Sequence, residues 1–284
     1  MIDLHCHYLP GIDDGAQTLD EALALARAAV ADGITHAVMT PHVHIGVFEN
    51  RAAGIAAAAA AFRAALSQYG IDLTISAGGE VRIGAELIEL LGEGELPFLG
   101  RLGSERVMLL EFPHGQVPVG AERFTAWLRR QGVLPLIAHP ERNKDVMRDL
   151  ARLDPFIEQG CLLQVTAGSL IGNFGNLAQR RARELLDRGD IFAVATDAHN
   201  LANRPPVLTA ARAFVAAAAG EVTAAALTYG NPLALLGDAF KPGSEGASLN
   251  LVTPAAAPAY HRSVPAVAPP GTAAAPPTLH PPGR

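Results

Sequence analysis

Short apolar runs recur along the chain at residues 1–7, 35–40, 73–77, 107–110, 134–138, 161–165 and 191–195. Each is too short for a helix and is bounded by turn formers, so each predicts a buried strand. Between them lie longer stretches with helical spacing or propensity, at 51–69, 84–91, 121–130, 145–159, 177–187, 208–219 and 222–227. Thr18-Leu19-Asp20-Glu21 forms a capping box, and the helix that it opens stops at Gly33. Before it, Leu9 to Gly15 is dense in turn formers and reads as a functional loop.

Seven strands alternating with helices predict an α/β fold with a parallel sheet, closed or nearly closed into a barrel. An open doubly wound sheet is the alternative, and no glycine-rich dinucleotide fingerprint follows the first strand to support it. A barrel gathers its chemistry at the C-terminal strand ends. His5, His7, His42, Glu80, Glu111, His139, Asp197 and His199 all lie at such ends. In the first strand, His5 and His7 are two residues apart and share a face. That pair alone is equally a polar strand end. Its recurrence, with Asp14 in the first loop, is what points to a site.

Those residues number five histidines and four carboxylates. A catalytic zinc takes about three protein ligands, so nine convergent ones imply a multinuclear site. The bland alternative would need nine separate burial costs with no common cause.

Composition narrows the choice. The formal charge of −6 argues against non-specific binding to nucleic acid or an anionic membrane surface. No run of about 18 apolar residues occurs and the start lacks a basic, then apolar, leader, so a cytoplasmic protein without membrane insertion is expected. Cys6 and Cys161 are too few for a disulfide framework. A cysteine phosphatase loop needs arginine six residues after the cysteine, where this chain has Ile12 and Ala167. Residues 1–240 are expected to form one domain. Residues 241–284, rich in proline and alanine, are expected to be a flexible tail in which Tyr260, His261 and His280 have no assigned role.

The ordered set Asp3-x-His5-x-His7, Asp13-Asp14-Gly15, Thr40-Pro41-His42, Gly79-Glu80, Glu111-Phe112-Pro113-His114, His139-Pro140-Glu141-Arg142 and Asp197-Ala198-His199 resembles the polymerase-and-histidinol-phosphatase (PHP) superfamily. More narrowly, it resembles the bacterial CpsB/YwqE-type protein-tyrosine phosphatases of capsule and exopolysaccharide operons. The likeness covers about residues 1 to 240. It implies a distorted seven-stranded, TIM-like β/α barrel holding three divalent metal ions, manganese first, with iron or zinc compatible with the same ligands. By motif, His5, His7, Glu80 and Asp197 would hold the first ion. Glu80, as a bridge, Glu111 and His139 would hold the second, and Asp14, His42 and His199 the third. Arg142 and Arg204 match the phosphate-binding arginines.

The implied substrate is the phosphorylated tyrosine cluster at the C-terminus of a bacterial tyrosine autokinase. A homo-oligomer is permitted. Three divalent cations against four ligand carboxylates leave a net +2, suited to a phosphate dianion, and water then attacks phosphorus without a protein nucleophile. A phenolate leaving group, with a solution pKa near ~10, departs with little protonation. Histidinol phosphate or another small phosphomonoester is the alternative substrate, and a binding module without turnover the third reading. Among neighbouring residues, His114 is a candidate for substrate contact or a structural hydrogen bond, and His44 for solvent or substrate contact. His36 is expected to be structural, Glu141 to orient Arg142, and Asp13 to support Asp14.

Overall fold

The computed structural model describes residues 1–237. The boundary at 240 and the tail at 241–284 lie outside the described residues. Among the described residues there are ten strands: β1 (Ile2–Cys6), β2 (His36–Met39), β3 (His42–Val43), β4 (Thr74–Ala77), β5 (Glu80–Arg82), β6 (Gly100–Leu102), β7 (Glu105–Glu111), β8 (Val133–Ala138), β9 (Leu162–Thr166) and β10 (Ile191–Ala195). All seven runs expected from the sequence are among them. β1, β2, β8, β9 and β10 are buried along their whole length, as strands covered on both faces must be.

The chain is thus an α/β fold built on parallel strands. One sheet has the order β1-β2-β4, and the other runs β10-β9-β8-β7-β5-β3, with β6 antiparallel beside β7. Two of the expected strands are each followed by a break and a short further strand, and this divides the sheets. The 35–40 run stops before Pro41, which has no N–H to donate to a ladder, and resumes as β3. The 73–77 run turns through Gly78-Gly79 and resumes as β5. β2 pairs with β1 on one side and β4 on the other, whereas β3 pairs with β5 and β5 with β7. A Cβ on Gly79 would lie 2.4 Å from Cγ of Pro97, so only glycine fits this kink. β3, β5 and β6 are two or three residues long, too short to show a period in the sequence.

β1 also meets β10. Cys6 bridges Ala198 in parallel, Asp197 N–H donates to the His5 carbonyl at 2.8 Å, and His7 N–H donates to the Ala198 carbonyl at 2.9 Å. Asp3 strengthens the seam. Its buried carboxylate accepts from Thr196 N–H at 2.9 Å, from the Thr196 hydroxyl at 2.5 Å and from His5 N–H at 3.3 Å.

Alternation along the strands separates two cores. Met108, Leu110, Val133, Ile137, Val165 and Val194 face the helices, while Val107, Leu109, Leu134, Leu136 and Ala195 join Ile2, Leu4 and Val38 in an inner core shared by both sheets. The helices are α1 (Leu19–Ala31), α2 (Ala52–Gln68), α3 (Glu86–Glu93), α4 (Ala121–Arg130), α5 (Lys144–Arg148), α6 (Asp154–Glu158), α7 (Ala167–Leu170), α8 (Gly175–Arg188), α9 (Thr209–Ala219), α10 (Glu221–Ala225) and α11 (Asn231–Leu236). Leu235 and Leu236 of α11 extend the inner core. α2 buries Ile55, Ala59, Phe62 and Leu66, the spacing of one helical face.

The single helix expected at 145–159 is instead α5, a 3-10 turn (Leu150–Leu153) and α6. Asp149 is extended and caps the 3-10 turn by accepting from Ala151 N–H at 3.0 Å, and Pro155 opens α6 at a position where no donor is needed. Local capping overrides the longer periodicity. No described helix is long and apolar enough to cross a membrane.

Replacing Gly79 by alanine is expected to destabilise the protein by about 1–3 kcal/mol, the usual cost of overpacking. Urea unfolding measures this, and an unchanged midpoint would show that the kink tolerates a side chain.

Candidate metal centre

The strand ends bring all nine expected residues to one mouth of the fold. At its base, the buried Nε2 atoms of His5 and His7 face each other at 3.1 Å. Asp197 Oδ1 lies 3.3 Å from the first and 3.4 Å from the second, and Glu80 Oε2 lies 3.3 Å and 3.6 Å from them. Four ligands at about 2.1 Å from a tetrahedral ion stand about 3.4 Å apart, so these edges have the size of a coordination cage.

A second group joins His7, Asp14, His42 and His199. Asp14 Oδ1 lies 3.3 Å from His42 Nε2 and 3.2 Å from His199 Nε2. The third joins His42, Glu80 and Glu111, and His139 Nε2 is hydrogen-bonded to Glu80 Oε1 at 2.7 Å. Glu80 therefore touches all three groups of residues. The motif-based grouping separates His42 from Glu80, but His42 Nδ1 lies 3.0 Å from Glu80 Oε2.

The backbone is bent to achieve this. His139 and Asp197, with φ of 33° and 53°, are the non-glycine residues with positive φ among those described. Such a conformation costs on the order of 1–3 kcal/mol and persists where surrounding structure enforces it. Both follow directly on β8 or within two residues of β10, at the mouth.

A family model described as "Capsular polysaccharide synthesis, CpsB/CapC" matches residues 1–237. The chain belongs to the CpsB/CapC family. It is 38% identical over 204 residues to the tyrosine-protein phosphatase YwqE of Bacillus subtilis, covering 72% of this chain and 79% of that one. It is 29% identical over 247 residues to the tyrosine-protein phosphatase CpsB of Streptococcus pneumoniae, covering 84% and 99%. A crystal structure from work on YwqE and CpsB, described there as metal-dependent tyrosine phosphatases, superposes with a TM-score of 0.77 at 35% identity. It covers 83% of this chain and 94% of that one.

In this CpsB/CapC chain, three histidines are fixed by their outer nitrogens. His7 Nδ1–H donates to Asp13 Oδ2 at 2.7 Å, His5 Nδ1–H to Gln164 Oε1 at 2.9 Å and His199 Nδ1–H to the Asp197 carbonyl at 3.0 Å. Each bond leaves Nε2 pointing inward with its lone pair, the arrangement that supports a metal ligand. Glu80 Oε2, Asp197 Oδ1 and His199 Nε2 are buried without a hydrogen-bond partner. Buried polar atoms in proteins generally find partners, so such donor atoms, two in the His5–His7–Glu80–Asp197 group and one in the group of Asp14 and His42, fit divalent cations well.

Electrostatics agree. Burial alone would raise the pKa of Glu80, yet His5 and His139 hold it well below the usual carboxylate range. Burial would likewise raise Asp197, but His5 and Arg142 keep it well below. Burial works against a charged His5, but Glu80 and Asp197 lift its pKa to about 9. His42 rises to about 11 against burial because Asp14 and Glu80 flank it. Without a cation, protons on imidazoles balance the carboxylates.

Above the cage is a cavity of about 220 Å³, lined by Asp14, His42, Glu111, His114, Arg142 and Arg204 among others. Arg142 Nη1 and Arg204 Nη2 both pair with Asp197 Oδ2. His114 is exposed at this cavity, whereas His44 lines a separate pocket with Arg82 and Glu86. His36 is structural, its Nε2 lying 2.7 Å from Ser76 Oγ. Both cysteines are buried. Burial pushes the Cys161 thiol up to about 12 and Cys6 well above its ordinary value, so neither offers a thiolate.

One expectation is extended and one needs correction. Asp13 is buried and accepts from the Gly15 N–H at 2.9 Å, across Asp14, but it also orients His7 and accepts from the His42 N–H at 3.1 Å. Glu141 does not hydrogen-bond Arg142; its Oε1 accepts from Thr166 N–H at 3.0 Å and the Ser169 hydroxyl at 2.7 Å, fastening the turn after β8 to the end of β9. Gln164 and Arg82 escaped the sequence reading. A polar residue inside the otherwise apolar 161–165 run was the available signal for Gln164. Arg82, which donates to Glu111 Oε2 at 2.9 Å, carried none.

Substituting Gln164 by leucine removes the acceptor behind His5 and is expected to weaken Mn²⁺ binding about 10–100-fold by calorimetry. Unchanged affinity would show that the ring is held by packing alone. Because the His5 pKa is raised from 6.5 to about 9, its contribution to the stability of the metal-free protein is full below pH 6.5 and is lost as pH rises through about 9. Metal uptake should then release protons and tighten as pH climbs over that window. Titrations in buffers of different ionisation enthalpy check this, and a proton count of zero would contradict it.

Proposed function

We propose that this chain is a metal-dependent phosphomonoesterase that hydrolyses protein phosphotyrosine, acting on a bacterial tyrosine autokinase that controls capsular or exopolysaccharide synthesis. The observation that carries the reading is the convergence of imidazole and carboxylate atoms, three of them buried and unpartnered, beneath two arginines at one cavity. The names of its relatives give the same direction. The strands, with β2–β3 and β4–β5 each read as one broken strand and β1 seamed to β10, are read as a distorted seven-stranded β/α barrel.

His5, His7, Glu80 and Asp197 would hold one cation. Glu80, Glu111 and His139 would hold a second, and Asp14, His42 and His199 a third, with Mn²⁺ as the leading candidate. Ions held there would supply Lewis acidity toward a phosphoryl group and make water a competent nucleophile near neutral pH. Gln164 and Asp13 keep His5 and His7 in the tautomer that presents Nε2. Arg142 and Arg204 line the cavity, where guanidinium forks suit phosphoryl oxygens and the charge that grows on them in the transition state. The tyrosine phenolate needs little protonation to leave. His114, exposed beside the cavity, can meet the substrate's aryl or peptide portion. No protein nucleophile is required, consistent with two buried, protonated thiols.

Purified protein supplied with Mn²⁺ is expected to hydrolyse a phosphotyrosyl peptide faster than histidinol phosphate. A chelator should abolish turnover, while a thiol-blocking reagent should leave it intact. Asp197→Asn should lower kcat/KM by about 10²-fold or more. Thiol sensitivity with chelator resistance, or a strong preference for histidinol phosphate, would overturn the assignment.

A further inference from the structure

Arg142 is held on one side by something other than a countercharge. Its Cζ sits 4.4 Å from the centroid of the Phe174 ring. Such pairs occur about once per 70–80 residues in proteins generally. Three occur among the 237 described here, so the occurrence alone carries no weight. Its position does, because of the three arginines involved only Arg142 lines the cavity.

The local geometry gives the ring a specific task. The hydrogen bonds of the Arg142 side chain run from Nη1, to Asp197 Oδ2 and to Thr166 Oγ1 at 3.5 Å. A second carboxylate in place of the ring would also hold the guanidinium, but it would take up N–H groups and cancel the charge that a phosphate needs. An aromatic face restrains the plane through the ring quadrupole and leaves the in-plane donors free.

The ring itself is seated by Gly168, where a Cβ would meet Phe174 Cε2 at 2.8 Å, and by Asn173 N–H, which donates to the Gly168 carbonyl at 2.8 Å. Ser169 and Thr166 tie the same segment to Glu141, the residue before Arg142. The end of β9, α7 and the Phe174 turn therefore form one support behind the Arg142 turn.

We infer that Phe174 is a positioning residue for Arg142, a neutral wall that fixes the guanidinium plane for a phosphoryl group without competing for its donors. The inference rests on the proposed phosphate-binding role of Arg142. In Mn²⁺-loaded protein, inorganic phosphate binding is read by calorimetry and the KM for an aryl phosphate by steady-state kinetics. Phe174→Leu should weaken both about tenfold with Mn²⁺ affinity unchanged. Phe174→Tyr should restore both to within about twofold, since it keeps the aromatic face. Gly168→Ala, which displaces the ring while leaving both partners present, should shift them in the same direction as Phe174→Leu.

In an Arg142→Ala background, Phe174→Leu should have no further effect, because its role runs through the missing guanidinium. An equal effect in that background, failure of tyrosine to rescue, or unchanged phosphate binding in Phe174→Leu would overturn the inference. Wild-type protein that binds phosphate in a Phe174-dependent way but leaves a phosphotyrosyl peptide intact would support the inference and sink the proposed reaction. Wild-type protein that binds no phosphate would overturn both.

Discussion

Four donor atoms facing one another across 3.1 to 3.6 Å in the buried base of the mouth set the terms for everything around them. Glu80 and Asp197 are buried carboxylates, and the cost of burying such charge falls only when positive charge meets it. In the metal-free chain, imidazolium groups and two arginines supply that charge. A divalent cation would do so from the inward-facing Nε2 side, the outer nitrogens of His5, His7 and His199 being committed elsewhere.

The fold is shaped to keep these atoms converging. β1 delivers two histidines on one face, and the Asp3–Thr196 contacts lock that strand against the segment carrying Asp197 and His199. The breaks after β2 and β4 displace His42 and Glu80 from the path of a straight strand, setting them at paired positions of β3 and β5. Positive φ at His139 and Asp197 stores part of the cost in the backbone. Close approaches that admit only glycine, at Gly79 and at Gly15, whose Cβ would lie 2.0 Å from the His7 carbonyl oxygen, tighten the same framework.

Much of this was legible in the sequence. Buried parallel strands leave continuous apolar runs, and polar residues at their C-terminal ends lie in the last positions of each run or within four residues of it, so the placement of His5, His7, His139, Asp197 and His199 at the ends of β1, β8 and β10 could be read directly. Strand pairing is a long-range property, and neither the split of the sheets nor the meeting of His42 with Glu80 has a local signature. The same holds for supporting partners. Gln164 faces His5 from a strand 159 positions away, and Arg82 faces Glu111 across neighbouring strands. Asp13 and Asp14 are adjacent in sequence and alike in chemistry, yet one is buried as a support and the other half-exposed toward the cavity. The long helix expected at 145–159 failed for the opposite reason, since Asp149 and Pro155 impose local ends that helical spacing alone does not reveal.

The most direct measurement is anomalous diffraction from crystals of the Mn²⁺-loaded protein. Anomalous density is expected within about 2.0–2.3 Å of the Nε2 atoms of His5 and His7 and of carboxylate oxygens of Glu80 and Asp197. Saturating Mn²⁺ that binds elsewhere, with those four groups still facing only one another and the arginines, would contradict the centre described here.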